Sequence, residues 1–448
     1  MIRKPIRLVA GLALVGLLGV VAVAPAGATT RAQSSTQGVT DDEIEIVALV
    51  SDLDGLRAKF GNVFSEKLTT GNLLKRWQSI ADDYGPINGR KIVVKPAVWD
   101  PTSNATFEKA CTQATQDNKP FVVVNGNGFR ASSLGCIAVD NQTPVFFGES
   151  VYGALQKAAG DNLFSLAPPA ELAGLNAVKV TKEQGLVKPS SKIGILSSNE
   201  PSGQAAGNAV EAEAKKLKLN VASKVEVNGL AADPNTINKE SAAAVATMKA
   251  AGVDTVFVVI PFTSSKGFYT EAASSNAGFQ TILVDASSSM CTVYGATQLP
   301  GTIAGTPCVT TFDARTTVAK DGVKKDSAFE ASCRKQFDAT FNEKSQAGAP
   351  AGDTKPINGV VYVEDFAPNE CTIMQTLLPA IKKAGKKLTW AKVAAQLKKD
   401  SKVPTAYMSG GTGSFGAKKQ YLADKVHLLT LAAADDKTAK DAAGLFNG

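Results

Sequence analysis

The spacing Gly126-x-Gly128-x-x-Ala131, with Glu149 about 20 residues further on, resembles a dinucleotide-binding turn. There, glycines let the backbone approach a pyrophosphate and an acid takes the ribose hydroxyls. Here the spacing follows the third predicted strand, not the first. Gly148-Glu149-Ser150-Val151-Tyr152-Gly153 puts a serine between glycines but lacks the Gly-x-Ser-x-Gly spacing of a nucleophile elbow. His427 is the single histidine, and it falls in a predicted terminal strand, Val426 to Leu431, where a structural role is expected. With one histidine and no Cys-x-x-Cys pair, a zinc site is not expected. Neither a catalytic group nor a metal centre emerges, and the chain is expected not to be an enzyme.

The N-terminus carries a different kind of signal. Arg3, Lys4 and Arg7 precede an apolar run from Leu8 to Val23, and Pro25 precedes Ala26-Gly27-Ala28. Positive start, short apolar run and small-residue exit make a secretory signal peptide over residues 1–28. The run is shorter than the roughly 20 residues a membrane-spanning helix needs. No cysteine follows it, so a lipid anchor at the new N-terminus is not expected. An exported chain would also have to gain a dinucleotide outside its usual pool, so no cofactor is expected.

Cleavage after Ala28 would leave 420 of the 448 residues, more than one core usually serves, and two domains are expected. The leader takes three of the 48 basic residues, leaving 45 against 41 acidic, a net of about +4. That balance gives no reason to expect nucleic acid as a partner. The six cysteines, Cys111, Cys136, Cys291, Cys308, Cys333 and Cys371, are even in number, as disulfides in an exported chain would be. Six allow fifteen pairings, of which the simplest is sequential.

Candidate residues need elements to hold them. Strands are predicted at Ile44 to Val50, Lys91 to Val98, Phe121 to Val124 and Pro144 to Phe147, with helices over Asn62 to Asp83 and Thr106 to Gln116. The alternation then restarts. Strands Lys192 to Leu196, Val221 to Val227, Thr255 to Ile260 and Thr281 to Val284 enclose helices Gly203 to Leu219, Glu240 to Ala251 and Phe268 to Asn276. Helices Phe329 to Phe341, Glu370 to Ala384 and Trp390 to Lys398 follow, and Ala432 to Gly448 is expected to fray. Unbroken apolar strands between helices predict an α/β fold of two doubly wound, Rossmann-like lobes with parallel sheets.

In such sheets a ligand lies beyond the carboxyl ends of the strands. The residues there are Leu53, Asp54, Trp99, Asn127, Gly128, Phe129, Glu149 and Ser150 in the first lobe. In the second they are Asn199, Ser202, Phe262, Thr263, Asp285 and Ser287. Aromatic faces mixed with hydroxyl, amide and carboxylate groups suit a small molecule with a polar end and an apolar body. Asn125 to Gly128 also precedes a helix predicted to open at Ala131, and free N–H groups at helix starts attract anions.

Four motifs carry a family resemblance. They are Gly55-Leu56-Arg57-Ala58-Lys59-Phe60-Gly61, Tyr84-Gly85-Pro86-Ile87-Asn88-Gly89-Arg90-Lys91-Ile92, Ile381-Lys382-Lys383-Ala384-Gly385 before Leu388-Thr389-Trp390, and Gly411-Thr412-Gly413-Ser414-Phe415. In order and spacing they resemble the leucine/isoleucine/valine-binding-protein family, the extracellular solute-binding subunits of ABC importers with the type 1 periplasmic binding protein fold. The first is similar to that family's turn after the leading strand. The resemblance implies a three-crossing hinge near Leu163–Leu166, Phe312–Thr316 and Lys402–Pro404. Lobe one would comprise 43–164 and 317–402, lobe two 165–316 and 403–435, after a polar leader at 29–42 and before a flexible tail at 436–448. Sequential disulfides Cys111–Cys136, Cys291–Cys308 and Cys333–Cys371 would then each stay inside one lobe.

The implied function is capture of an amino acid, amide or small organic acid by hinge closure, for delivery to an ABC permease, by a chain expected to be monomeric. The family holds a ligand carboxylate at the loop matching Asn125 to Gly128 and after the next strand. Glu149 there would repel it. The family's acid for a ligand ammonium falls near Asp285, with Ser287 close in alignment, and its tyrosines match Ser202 and Phe262. A ligand-presenting sensor or a cell-envelope binding protein without a transport role is the alternative.

Overall fold

The computed structural model describes residues 37–60, 69–100, 103–126, 128–229, 234–285, 305–312, 326–341, 367–406, 408–430 and 440–447. The first sheet has strand order β2-β1-β3-β4-β5, built from β1 (Glu43–Ser51), β2 (Lys91–Trp99), β3 (Val122–Asn125), β4 (Val145–Phe147) and β5 (Leu163–Ser165). Every pairing in it is parallel. The period-two geometry of a strand sorts β1 between two cores. Ile44, Ile46, Ala48 and Val50 join one cluster with Trp77, Ile373, Leu377 and Trp390. Val47 and Leu49 join another with Phe107, Leu134 and Ile137. Both faces are therefore covered, which is why the strand reads as continuously apolar.

The helices follow from local signals. In α2 (Thr70–Tyr84), Leu73, Trp77 and Ile80 recur at helical spacing on the buried side. Thr69 caps it by accepting the Asn72 N–H at 3.0 Å, and Gly85 at φ +81° ends it. The segment expected as a turn after β1 is instead α1 (Leu53–Phe60). Asp52 caps it through the Gly55 N–H at 2.9 Å, and Leu53 and Leu56, one turn apart, are buried. A cap and two core anchors outweigh the single glycine. After α3 (Asn104–Thr112), the helix expected to open at Ala131 is present as a short run of mixed pitch, starting with the 3-10 turn Ala131–Ser133 and ending in the π-helical stretch Cys136–Asp140.

The second sheet runs β14-β13-β10-β9-β8-β6-β7. Its parallel part comprises β6 (Lys192–Ser198), β7 (Asn220–Val227), β8 (Thr255–Val259), β9 (Gln280–Val284) and β10 (Pro307–Thr310). Read along the chain this is the same order as the first sheet: the leading strand sits between the second and the third. Two further helices are α4 (Gly153–Ala159), which joins β4 to β5 and packs in the first sheet's core, and α5 (Ala170–Glu183), which leads into the second sheet and packs in its core. Then α6 (Pro201–Lys216), α7 (Pro234–Ala250) and α8 (Phe262–Ser274) alternate with the strands. Antiparallel strands β13 (Lys425–Thr430) and β14 (Lys440–Asn447) complete the sheet. Residues 440–447, expected to fray, are a strand because β13 would otherwise expose an unpaired backbone edge.

Helices α9 (Ala328–Phe341), α10 (Ala367–Ala384) and α11 (Trp390–Leu397) return to the first sheet's core. Segments running between the sheets bond to one another. Ser165 donates its N–H to Gln420 O and accepts from Leu422 N, both at 2.9 Å, and Ser409 N–H reaches Thr311 O at 2.9 Å. The strands β11 (Val403–Pro404) and β12 (Thr412–Gly413) pair antiparallel beside them. Disulfides join Cys111 to Cys136 and Cys333 to Cys371, with Cα atoms 6.2 and 5.8 Å apart. Cys308 is disulfide-bonded; Cys291 lies outside the described residues. Among the described residues no helix is long and apolar enough to cross a membrane.

Candidate functional site

The carboxyl ends of β3 and β4 form one tightly joined floor. Gly148 N–H donates to Asn125 O at 2.8 Å, and a Cβ at Gly148 would stand 1.7 Å from Gly126 O. Only glycine allows that approach. From α10, Asn369 Nδ2 donates to Gly126 O at 2.9 Å and lies 3.4 Å from Gly148 O. One amide thus holds both loops, and no local feature of the sequence marks Asn369 for this. Asn125 Nδ2 donates to Leu49 O at 3.0 Å, tying the floor to β1.

Glu149 follows β4 and is buried, with Oε1 accepting the Gly128 N–H at 2.9 Å. The loop expected to receive an anion through backbone donors thus gives Gly128 to the chain's own carboxylate. Burial pushes the Glu149 carboxyl well above the ordinary range; the Gly128 bond opposes this and Asp285 adds to it. Ser150 beside it is buried.

Trp99 and Phe129 pack with Phe107 in the core below these loops. The centroids are 4.9 Å apart for Trp99–Phe107, 5.4 Å for Trp99–Phe129 and 5.2 Å for Phe107–Phe129. Both candidate rings are 2% exposed, so their main service is to the fold. Asp54 is half-exposed and engaged locally, accepting the Thr70 N–H at 3.1 Å and pairing with Arg57 at 3.3 Å. Asn127 and Ser287 lie outside the described residues, as do the side chains of Phe262 and Thr263 in the first turn of α8.

In the second sheet Asp285 follows β9 and is buried, with Oδ2 accepting from Thr310 Oγ1 at 2.9 Å. Asn199 N–H bonds Val227 O at 2.8 Å, and half-buried Ser202 lies in the first turn of α6 behind Pro201, a favoured first helical residue. Two interactions span the sheets. The charge of Asp285 acts on Glu149 through space, and Glu200, just before α6, takes a hydrogen bond from Ser132 and the charge of Arg130. Burial still holds Glu200 above the usual carboxylate range. Arg130 also lies 4.5 Å above the Phe107 ring and donates to Asn104 Oδ1 at 2.7 Å. Arg130, Ser132 and Glu200 escaped the sequence reading because their relation exists only between the sheets.

Two sheets of one topology, with the loops at their strand carboxyl ends in contact, define the two-lobed type 1 periplasmic binding protein fold. A model of the periplasmic binding protein family matches residues 78–437, and the chain belongs to that family. No curated protein matches it. Among solved structures it is similar to an ABC transporter solute-binding protein from Rhodopseudomonas palustris in complex with 4-hydroxybenzoate: 15% identity, TM-score 0.65, covering 91% of this chain and 97% of that one. It is also similar to a leucine-, isoleucine-, valine-, threonine- and alanine-binding protein from Brucella ovis in a closed conformation: 15% identity, TM-score 0.64, 91% and 95%. A leucine-binding protein from Thermotoga maritima matches at 12% identity and TM-score 0.63, over 90% and 99%.

Proposed function

We propose that the chain is the exported solute-capture subunit of an ABC importer, released from a signal peptide at residues 1–28. It holds one small molecule between its lobes, acts as a monomer, performs no chemistry on the ligand and hands it to a permease. The lobes divide near residues 164, 316 and 402, and closure turns about those three segments. One observation carries this reading: the carboxyl-end loops of two like sheets face one another, with Glu200 bonded by Ser132 beside Arg130 and Glu149 within the field of Asp285. Both the 4-hydroxybenzoate-bound relative and the amino-acid-binding relatives support a small polar ligand.

The test is a thermal-shift screen of the chain from Thr29 onward against amino acids, amides, amines, aromatic acids and nucleosides. Stabilisation that grows with concentration supports capture. No shift with any compound overturns it.

A further inference from the structure

The donor that an incoming anion would seek is already taken. Gly128 N–H is bonded to Glu149 Oε1 at 2.9 Å, and Glu149 is 6% exposed. Among the described residues it is the one hydrogen bond that Glu149 makes. The charged neighbour acting on Glu149 is a second buried carboxylate, Asp285, from the opposite lobe. A ligand carboxylate here would meet a buried carboxyl group from each lobe, and the approach of its charge would be opposed.

A second observation points the same way. Asn125, 1% exposed at the end of β3, turns its Nδ2 to Leu49 O, which leaves Oδ1 as the free acceptor of the amide. That oxygen is buried and has no hydrogen-bond partner. A buried acceptor without a donor costs about 1–3 kcal/mol, a penalty that a bound N–H group would remove. Acceptors at Glu149, Asp285 and Asn125 thus gather where strands β3, β4 and β9 end.

We propose that the ligand presents N–H donors, as an amidinium or an amide, to Glu149 and Asp285 and carries no carboxylate at that end. This rests on the interlobe cleft being the ligand site. It also separates this chain from the relative that is in complex with 4-hydroxybenzoate.

Benzamidine, benzamide and benzoate share one ring and differ only in the head group. Propionamidine, propionamide and propionate repeat the series without the ring. Calorimetric titration of the mature chain should find an amidine or amide at least tenfold tighter than its carboxylate. Whichever nitrogen head is favoured tells the charged source from the neutral one. Glu149→Gln keeps the shape and an oxygen for Gly128, and should narrow that preference at least tenfold. A carboxylate binding as tightly as its nitrogen partner overturns the proposal, as does an unchanged preference in Glu149→Gln. If neither series binds, the head groups of compounds that stabilise the chain in the broader screen decide. Carboxylate-headed binders alone overturn the ligand class and leave capture standing; nitrogen-headed binders support it. Silence across every compound overturns capture itself, and this proposal with it.

Discussion

Two buried acids flank the same loop and are treated in opposite ways. Behind the loop, a Cβ at Gly126 would stand 3.0 Å from Glu370 Cγ, and in front Gly128 bonds Glu149. Glu370 faces Arg76, whose Nε lies 3.7 Å from Oε2, with both side chains under 5% exposed. Burial raises the Glu370 carboxyl to about 8 against the pull of Arg76, and lowers Arg76 to about 10 against the pull of Glu370. Arg76 also donates to Cys333 O at 3.4 Å and lies 5.3 Å from the Phe337 ring. Glu149 is given a backbone N–H and another acid. An acid that serves packing is met by the chain's own cation, whereas the acid at the cleft is left facing a like charge.

Removing the cation behind the loop should have the largest effect. Arg76→Ala deletes a fully buried side chain and strands Glu370, and should cost about 3–5 kcal/mol in urea unfolding at pH 7. A loss under 1 kcal/mol would break the contrast. The Cys333–Cys371 bridge, adjacent to Glu370, comes next. It closes a separation of 38 residues, and replacing both cysteines with serine should cost about 3–4 kcal/mol by freeing the unfolded chain.

Asn369→Ala removes the amide that holds both loops and should cost about 1–3 kcal/mol, since Gly126 O loses its donor. Ligand affinity should fall with it. If stability falls and affinity does not, the two loops are not the ligand floor.

Glu149→Gln should do the reverse of Arg76→Ala and stabilise the free protein at pH 8. Because the Glu149 carboxyl is raised in the folded state, its contribution is full below the ordinary carboxylate range and is lost as pH climbs through the raised value. The melting temperature of the variant should therefore match wild type near pH 4 and exceed it increasingly toward pH 8. Equal melting at all pH would show that Glu149 meets a cation after all. The smallest effect is expected at Glu200→Gln. Its carboxyl is half-buried, so stability should change by under about 1 kcal/mol, while ligand dissociation should quicken as the lobes lose one closing contact.

Sequence patterning made most of the scaffold legible. The strands before Asp52, Gly148 and Asp285 were readable because unbroken apolar runs between helical periods have few other interpretations. The floor of the cleft was not. α1 hid behind Gly55 because its evidence is a cap and two core contacts, and α5 because its alanines and valines pack on a partner absent from any local window. Asn369 lies 243 residues from the Gly126 carbonyl it holds.

By itself the sequence determined that two α/β units would form, which residues would stand at their strand ends, and that Cys111–Cys136 and Cys333–Cys371 were the simplest bridges. Those features depend on spacing within one element or between neighbours, and spacing is written in the chain. The tertiary structure alone decided that Glu149 takes Gly128, that Asp285 from the other lobe confronts it, and that Glu370 instead receives Arg76. The charge state of a buried acid depends on what surrounds it, and those neighbours come from segments that only folding brings together.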